Sequence, residues 1–211
     1  METISTASRS RGIARAGLIS FLVLSASLCQ KAPRIEPRPG TWAEQVPSQA
    51  LKNWYKLDDD VYRSEQPNRK GFEEIRDQGI KTVLNLRSSH SDDKKAEGLG
   101  LILVRVPMRA GGFSEDDIVS ALKAIKSSPK PVLIHCQHGA DRAGVVSAMY
   151  RIVFQGWSKE DALAELLGGG FGFHTQYKNI PEFIREVDVD MLRKKLEAGP
   201  SSTELRTVAH E

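Results

Sequence analysis

Residues 132–154 read VLIHCQHGADRAGVVSAMYRIVF: a short apolar run, seven residues from Cys136 to Arg142, then a longer apolar run. The first run is continuous instead of alternating, as in a strand covered on both faces. The second is too long for an ordinary strand and apolar nearly all round, which fits a helix enclosed by neighbours. A strand buried on both faces needs helical layers above and below it, so this stretch alone points to an α/β layered fold. In such sheets ligands sit beyond the carboxyl ends of the strands, where loops lead into helices. Residues 136–142 occupy that place, and successive backbone N–H groups there can converge on an anion, backed by the helix dipole.

The rest of the chain has the same alternation. DVYRS (60–64) reads as a short strand, GFEEIRDQG (71–79) as a helix closed by Gly79, and IKTVLNLR (80–87) as a strand. A charged stretch, SSHSDDKKAEGLG, holds a loop and a short helix; LILVRVP (101–107) is a strand stopped by Pro107. Ser114 opens a helix in which Ile118, Leu122 and Ile125 share a face, and Ser158 caps another over SKEDALAELL. The expected fold class is α/β, with a central, mostly parallel sheet flanked by helices. No repeat of solenoid period is present.

The termini lie outside that pattern. Arg9, Arg11 and Arg15 precede the apolar run AGLISFLVLSASLC, so residues 1–28 read as a signal peptide or N-terminal membrane anchor. Cys29 adds a competing reading, a lipidated cysteine, although Leu28 before it is larger than such signals favour. Export to the periplasm or the outer face of a membrane is the expectation, with membrane association through the N-terminus left open. Residues 29–50, with Pro33, Pro37, Pro39 and Pro47, read as a Pro-rich tether. Residues 51–196 form the expected domain and 197–211 a loose tail. The formal charge is +3, of which Arg9, Arg11 and Arg15 against Glu2 supply +2. A nucleic-acid partner is not suggested.

The chemistry lies in the loop. A cysteine at the base of an anion nest is favoured as the thiolate, the form that attacks. An arginine six residues on returns to the rim, where its planar fork can grip two phosphate oxygens. Gly139 lets the backbone approach an anion closely. Nucleophile, cradle and clamp together describe phosphoryl transfer through a phosphocysteine. The five histidines have no ligand spacing with cysteine or carboxylates, so neither metal nor cofactor is expected.

VLIHCQHGADRAG resembles the His-Cys-x5-Arg signature loop of the cysteine-dependent protein tyrosine phosphatase superfamily. NWYKLDDDVYRSEQP and TVLNLR are similar to its compact dual-specificity-like branch, over residues from about Asn53 to Ile184. The resemblance implies a phosphatase acting on a phosphorylated protein or a small phosphomonoester. It makes Cys136 the nucleophile, Arg142 the phosphate-binding arginine, and the amides of Gln137, His138, Gly139, Ala140, Asp141 and Arg142 the cradle. His135 becomes the buried support of the loop. Asn85 is expected to brace the loop. Arg63 and Arg87, at strand ends, either line the mouth or pair with surface carboxylates. The GGGFGFH stretch (168–174) either flanks a substrate ring or is a packing turn.

Two departures weaken that implication. The family usually has Ser or Thr after the arginine to stabilise the departing thiolate, and this chain has Ala143. The family's general acid is usually an Asp on a loop well upstream, yet MRAGGF (108–113) contains no carboxylate. Asp141 is the favoured substitute, with Asp116 or Asp117 as alternatives. With both losses, a phosphate-binding module without turnover is the competing function.

Overall fold

The computed structural model describes residues 39–198 of the 211. The export segment 1–28, residues 29–38 of the tether (Cys29 among them) and residues 199–211 of the tail lie outside the described residues. Among the described residues no helix is long and apolar enough to cross a membrane.

In chain order the elements are β1 (Glu44–Gln45), β2 (Tyr55–Lys56), β3 (Val61–Ser64), α1 (Arg69–Asp77), β4 (Thr82–Arg87), α2 (Asp93–Ala96) and β5 (Ile102–Met108), followed by α3 (Glu115–Ser127), β6 (Val132–His135), α4 (Arg142–Phe154), α5 (Lys159–Gly168), α6 (Asn179–Glu186) and α7 (Val189–Glu197). The sheet order is β1-β2-β3-β6-β4-β5. β3, β6, β4 and β5 run parallel, while β1 and β2 add an antiparallel edge. The sheet is therefore mixed, with a parallel centre.

The central strand β6 has every residue buried, which its continuous apolar sequence requires. Its side chains divide by the two-residue period. Val132 and Ile134 face one core with Val61, Leu84 and Leu86; Leu133 faces the other with Tyr62 and Val83. The larger core holds α3 to α7, and the smaller holds α1 and the short α2. Helix α4 is buried from Ala143 through Ile152, as its all-round apolarity demands.

Two sequence expectations change. The strand β5 passes through Pro107 instead of stopping before it. It is the outer strand of the sheet, and its register against β4 shifts between Asn85 and Arg87, so the missing N–H falls in an irregularity on an edge strand. The folded body reaches back past Leu51 into the segment read as tether: Ala43 is buried and Glu44–Gln45 pairs with β2. Two helices, α6 and α7, fill residues 179–197. Pro181 is tolerated in the first turn of α6, where an N–H has no intrahelical partner.

Candidate active site

The loop from Cys136 to Arg142 leaves the carboxyl end of the central strand and ends on the first residue of α4. Four successive carbonyls are held on its outer side. Gln137 O accepts from Gln66 N (3.2 Å), and His138 O accepts from Asn53 Nδ2 (2.7 Å). Gly139 O and Ala140 O both accept from Arg63 Nη2, at 2.5 and 3.2 Å. In a trans peptide the C=O and the next N–H point in opposite directions. Tying those four carbonyls outward therefore turns the N–H groups of His138, Gly139, Ala140 and Asp141 inward, toward one centre. Cys136 is 1% exposed at the floor of this cradle.

Gly139 makes the cradle possible. Its φ is +70°, and a Cβ there would stand 2.5 Å from the Ser64 carbonyl carbon. Only glycine permits both the left-handed turn and the approach to β3.

Arg63 is neither a mouth residue nor a surface ion pair, as its sequence position suggests. It is 2% exposed, lies beneath the loop, and stacks 3.9 Å from the centre of the Phe171 ring. Burial lowers its pKa to about 10, opposed chiefly by the field of Glu165 and then of Cys136. It stays protonated at neutral pH, so a fixed positive charge sits near the Cys136 thiol.

A second support runs along the sheet. His135 is fully buried, and its Nε2 lies 2.8 Å from Asp92 Oδ2; Asp92 Oδ1 accepts from Gln66 Nε2 at 2.8 Å. Burial pushes the Asp92 carboxyl up, but the hydrogen bond and charge of His135, then the bonds from Gln66 and Asn85, hold it below its ordinary value. Asn85 does not reach the signature loop. It donates to His90 O (2.8 Å) and accepts from Arg87 N (2.8 Å), shaping the turn that carries Asp92.

Two guanidinium groups share the mouth. Arg142 Nη1 donates to Met108 O at 3.4 Å, while its Nε is buried with no hydrogen-bond partner among the described residues. Arg87 donates to Gln66 Oε1 at 3.2 Å. Its pKa is lowered by burial first and by the charge of Arg142 second. Two cations near enough to feel each other's charge, one with a buried N–H that has no partner among the described residues, are suited to an anion.

The carboxylate candidates separate cleanly. Asp117 is committed to the capping box of α3, accepting from Ser114 N at 2.8 Å. Asp116 is exposed and pairs with Lys195 of α7 at 3.1 Å. Neither is brought to the signature loop. Asp141 belongs to it, with its side chain 8% exposed. Its Oδ1 accepts from His174 N (3.0 Å), and its Oδ2 lies 2.9 Å from His174 Nδ1.

The sequence reading missed His174 as a partner because 33 residues separate it from Asp141. The only local signal was the aromatic GGGFGFH stretch, which turns out to be both packing turn and rim. Gly169 caps α5, Phe171 packs under Arg63, and His174 lies between His138 (5.3 Å between ring centres) and Tyr177 (6.4 Å). The linear spacing of the histidines offers no ligand set, but the fold brings three candidate ligands together. His138, Asp141 and His174 offer ligand atoms all within 4.8 Å of one another.

A buried thiol at the base of a loop with its carbonyls tied outward, with an arginine at the loop's end, is an arrangement suited to moving phosphoryl groups through cysteine. Residues 59–156 match a family described as "Polymorphic toxin system, DSP-PTPase phosphatase". The chain is 35% identical over 179 residues to the dual specificity protein phosphatase TpbA of Pseudomonas aeruginosa, covering 82% of this chain and 79% of that protein. The crystal structure of P. aeruginosa TpbA superposes with a TM-score of 0.69 at 31% identity, over 75% of this chain and 98% of that one. A TpbA variant in complex with phosphotyrosine gives 0.70 at 31% identity, over 77% and 99%. The catalytic core of the PP-IP phosphatase SIW14 from S. cerevisiae gives 0.62 at 22% identity, over 70% and 93%, a likeness of fold. The chain belongs to the cysteine-based, dual-specificity-like branch of the protein tyrosine phosphatase superfamily, and it is a phosphatase. The alternative of a module without catalysis is not favoured.

Proposed function

We propose that the protein hydrolyses phosphotyrosine-like aryl phosphomonoesters on proteins or peptides, in two steps through Cys136. The observation that carries this reading is the set of four carbonyls tied outward, which turns the loop amides the other way, together with the unpartnered Nε of Arg142 at the loop's end. In the first step the Cys136 thiolate attacks phosphorus in line with the leaving oxygen. The inward amides and the Arg142 fork take the three equatorial oxygens, where negative charge is greatest in the transition state. The Asp141–His174 pair supplies the proton that the departing oxygen needs. In the second step water attacks phosphorus as the Asp141–His174 pair takes back a proton from it; the S–P bond breaks, releasing inorganic phosphate and returning the Cys136 thiolate.

Two features support an aryl phosphomonoester over a densely anionic substrate. Beyond Arg142, the loop side chains add only His138 as a group able to carry positive charge. The rim formed by His138, His174 and Tyr177 is aromatic and suits a flat substrate ring. The phosphotyrosine complex of the TpbA variant supports the same class. The test is a comparison of kcat/KM on a phosphotyrosyl peptide and on an inositol polyphosphate. The peptide is expected to win by at least about tenfold, about 1.4 kcal/mol in transition-state binding; equal rates would refute the assignment.

The proton donor has its own test. Asp141→Asn keeps an acceptor for His174 N but removes the proton site. The rate on an alkyl phosphate, a poor leaving group, should fall roughly 100-fold, while the rate on p-nitrophenyl phosphate changes by less than about fivefold. Equal losses on both substrates would remove Asp141 from the role.

Ala143 bears on the second step. The position is fully buried at the start of α4, so serine is the smallest substitution that restores a hydroxyl. One hydrogen bond to the departing thiolate, about 1.5 kcal/mol, corresponds to roughly tenfold. Ala143→Ser is expected to raise kcat and shrink the pre-steady-state burst by about that factor. A burst unchanged from the parent would show that the hydroxyl is not missed.

A further inference from the structure

We propose that His138, Asp141 and His174 form a binding site for a divalent transition ion of the zinc class, placed over the catalytic cradle so that its occupancy inhibits the enzyme. The three residues come from two separate segments, yet each offers a ligand atom within 4.8 Å of the other two. A tetrahedral zinc with bonds of about 2.0–2.1 Å needs ligand atoms about 3.4 Å apart. The Asp141 Oδ2 to His174 Nδ1 separation of 2.9 Å is already near that value. His138 is exposed and the His174 side chain is 43% exposed, so both rings can turn the remaining distance while Asp141 stays fixed in the loop.

The donor set selects the ion. Two imidazoles and one carboxylate suit zinc and its neighbours, and leave a fourth position open; calcium and magnesium prefer oxygen ligands in larger number. A coordinated imidazole nitrogen or carboxylate carries no proton at the bonding atom. An ion here occupies the Asp141 and His174 atoms that face each other beside the signature loop and clips the 168–178 segment onto that loop. Binding stands on the geometry of the three ligands. Inhibition by occupying those atoms rests on the proton-donor reading given above, and it should be greater for a poor leaving group than for a good one.

The experiment uses the full chain with Cys29→Ser and Cys136→Ser, so that neither thiol competes for metal. Equilibrium dialysis against Zn²⁺ should find one ion per chain, and zinc should raise the melting temperature. Adding His138→Ala should weaken binding at least tenfold and abolish the thermal shift; adding His90→Ala, an exposed histidine of the turn after β4 that is not one of the three ligands, should do neither. His174→Asn, which can keep a hydrogen bond to Asp141, is a second variant expected to lose the ion. Absence of binding, or binding untouched by both His138→Ala and His174→Asn, overturns the site. In the chain that retains Cys136, zinc inhibition surviving in full in His138→Ala overturns the regulatory role. Zinc binding that persists while Asp141→Asn shows no leaving-group dependence refutes the proton-donor reading and the proposed route of inhibition, and leaves the site standing.

Discussion

Gly139→Ala should reduce kcat/KM by at least about 100-fold and lower stability by roughly 2–5 kcal/mol. The substitution meets two independent obstacles. A φ of +70° costs an L-residue about 1–2 kcal/mol. The new Cβ would also stand 2.5, 2.6 and 2.7 Å from the Ser64 carbonyl carbon, its oxygen and Glu65 N. All three are backbone atoms of the strand-end segment that braces the loop, so no side chain can move aside, and overpacking of this kind adds about 1–3 kcal/mol. Relief requires the loop to lift away from β3. That movement stretches the bonds from Arg63 to Gly139 O and Ala140 O and from Gln66 N to Gln137 O, the tethers that aim the amides inward. A displacement of about 1 Å at a reacting centre is enough for the stated loss. Gly112→Ala is the control, because a Cβ there meets nothing within 4 Å. Near-parental activity in Gly139→Ala would mean that the cradle does not depend on this contact.

The parts of this site that were legible in the sequence are those whose physics is local. A continuous apolar strand, a seven-residue turn and an apolar helix fixed the place of Cys136 and Arg142, because strand period, helix period and the carboxyl-end rule act over neighbouring residues. The capping residues Ser114 and Ser158 were visible for the same reason, each bonding an amide three residues on. What stayed hidden depends on contacts across the chain. Arg63 lies 76 residues from Gly139, and nothing in VYRS distinguishes a charge held under a loop from one at the surface. The pairing of His174 with Asp141 arises only when the segment after α5 folds back over the loop. Helices α6 and α7 bury two residues each, Ile180 and Ile184, Leu192 and Leu196, too few to stand out as a periodic signal. Strand β1 is two residues of an apparent tether, held by pairing with β2 instead of by any propensity of its own.

Glu165→Gln is expected to destabilise the protein by about 3–5 kcal/mol, the usual result of leaving one member of a buried ion pair without its partner. Arg151 and Glu165 are 3% and 4% exposed and meet through two bonds, Nη2 to Oε1 at 2.8 Å and Nε to Oε2 at 3.0 Å. Arg151 Nη1 donates to Leu57 O and Gln155 Oε1, and the guanidinium stacks 4.2 Å from the centre of the Trp157 ring. Glu165 also accepts from Ala43 N at 2.6 Å, so the same carboxylate anchors the segment leading into the edge strand. Glutamine keeps the shape and removes the charge, stranding Arg151 in the core. With a urea slope of about 2 kcal/mol/M, the unfolding midpoint should fall by about 2 M. The double change Arg151→Met with Glu165→Met should be less damaging than Glu165→Gln alone, since no buried charge is then left uncompensated. The consequence extends to catalysis, because the field of Glu165 is the largest of those that offset the burial of the Arg63 charge beneath the loop. Folded Glu165→Gln protein, assayed well below its melting temperature, should therefore show a weakened cradle as a lower kcat/KM on p-nitrophenyl phosphate. Unaltered kcat/KM together with a 2 M loss in midpoint would confine Glu165 to stability and cut its link to the charge under the loop.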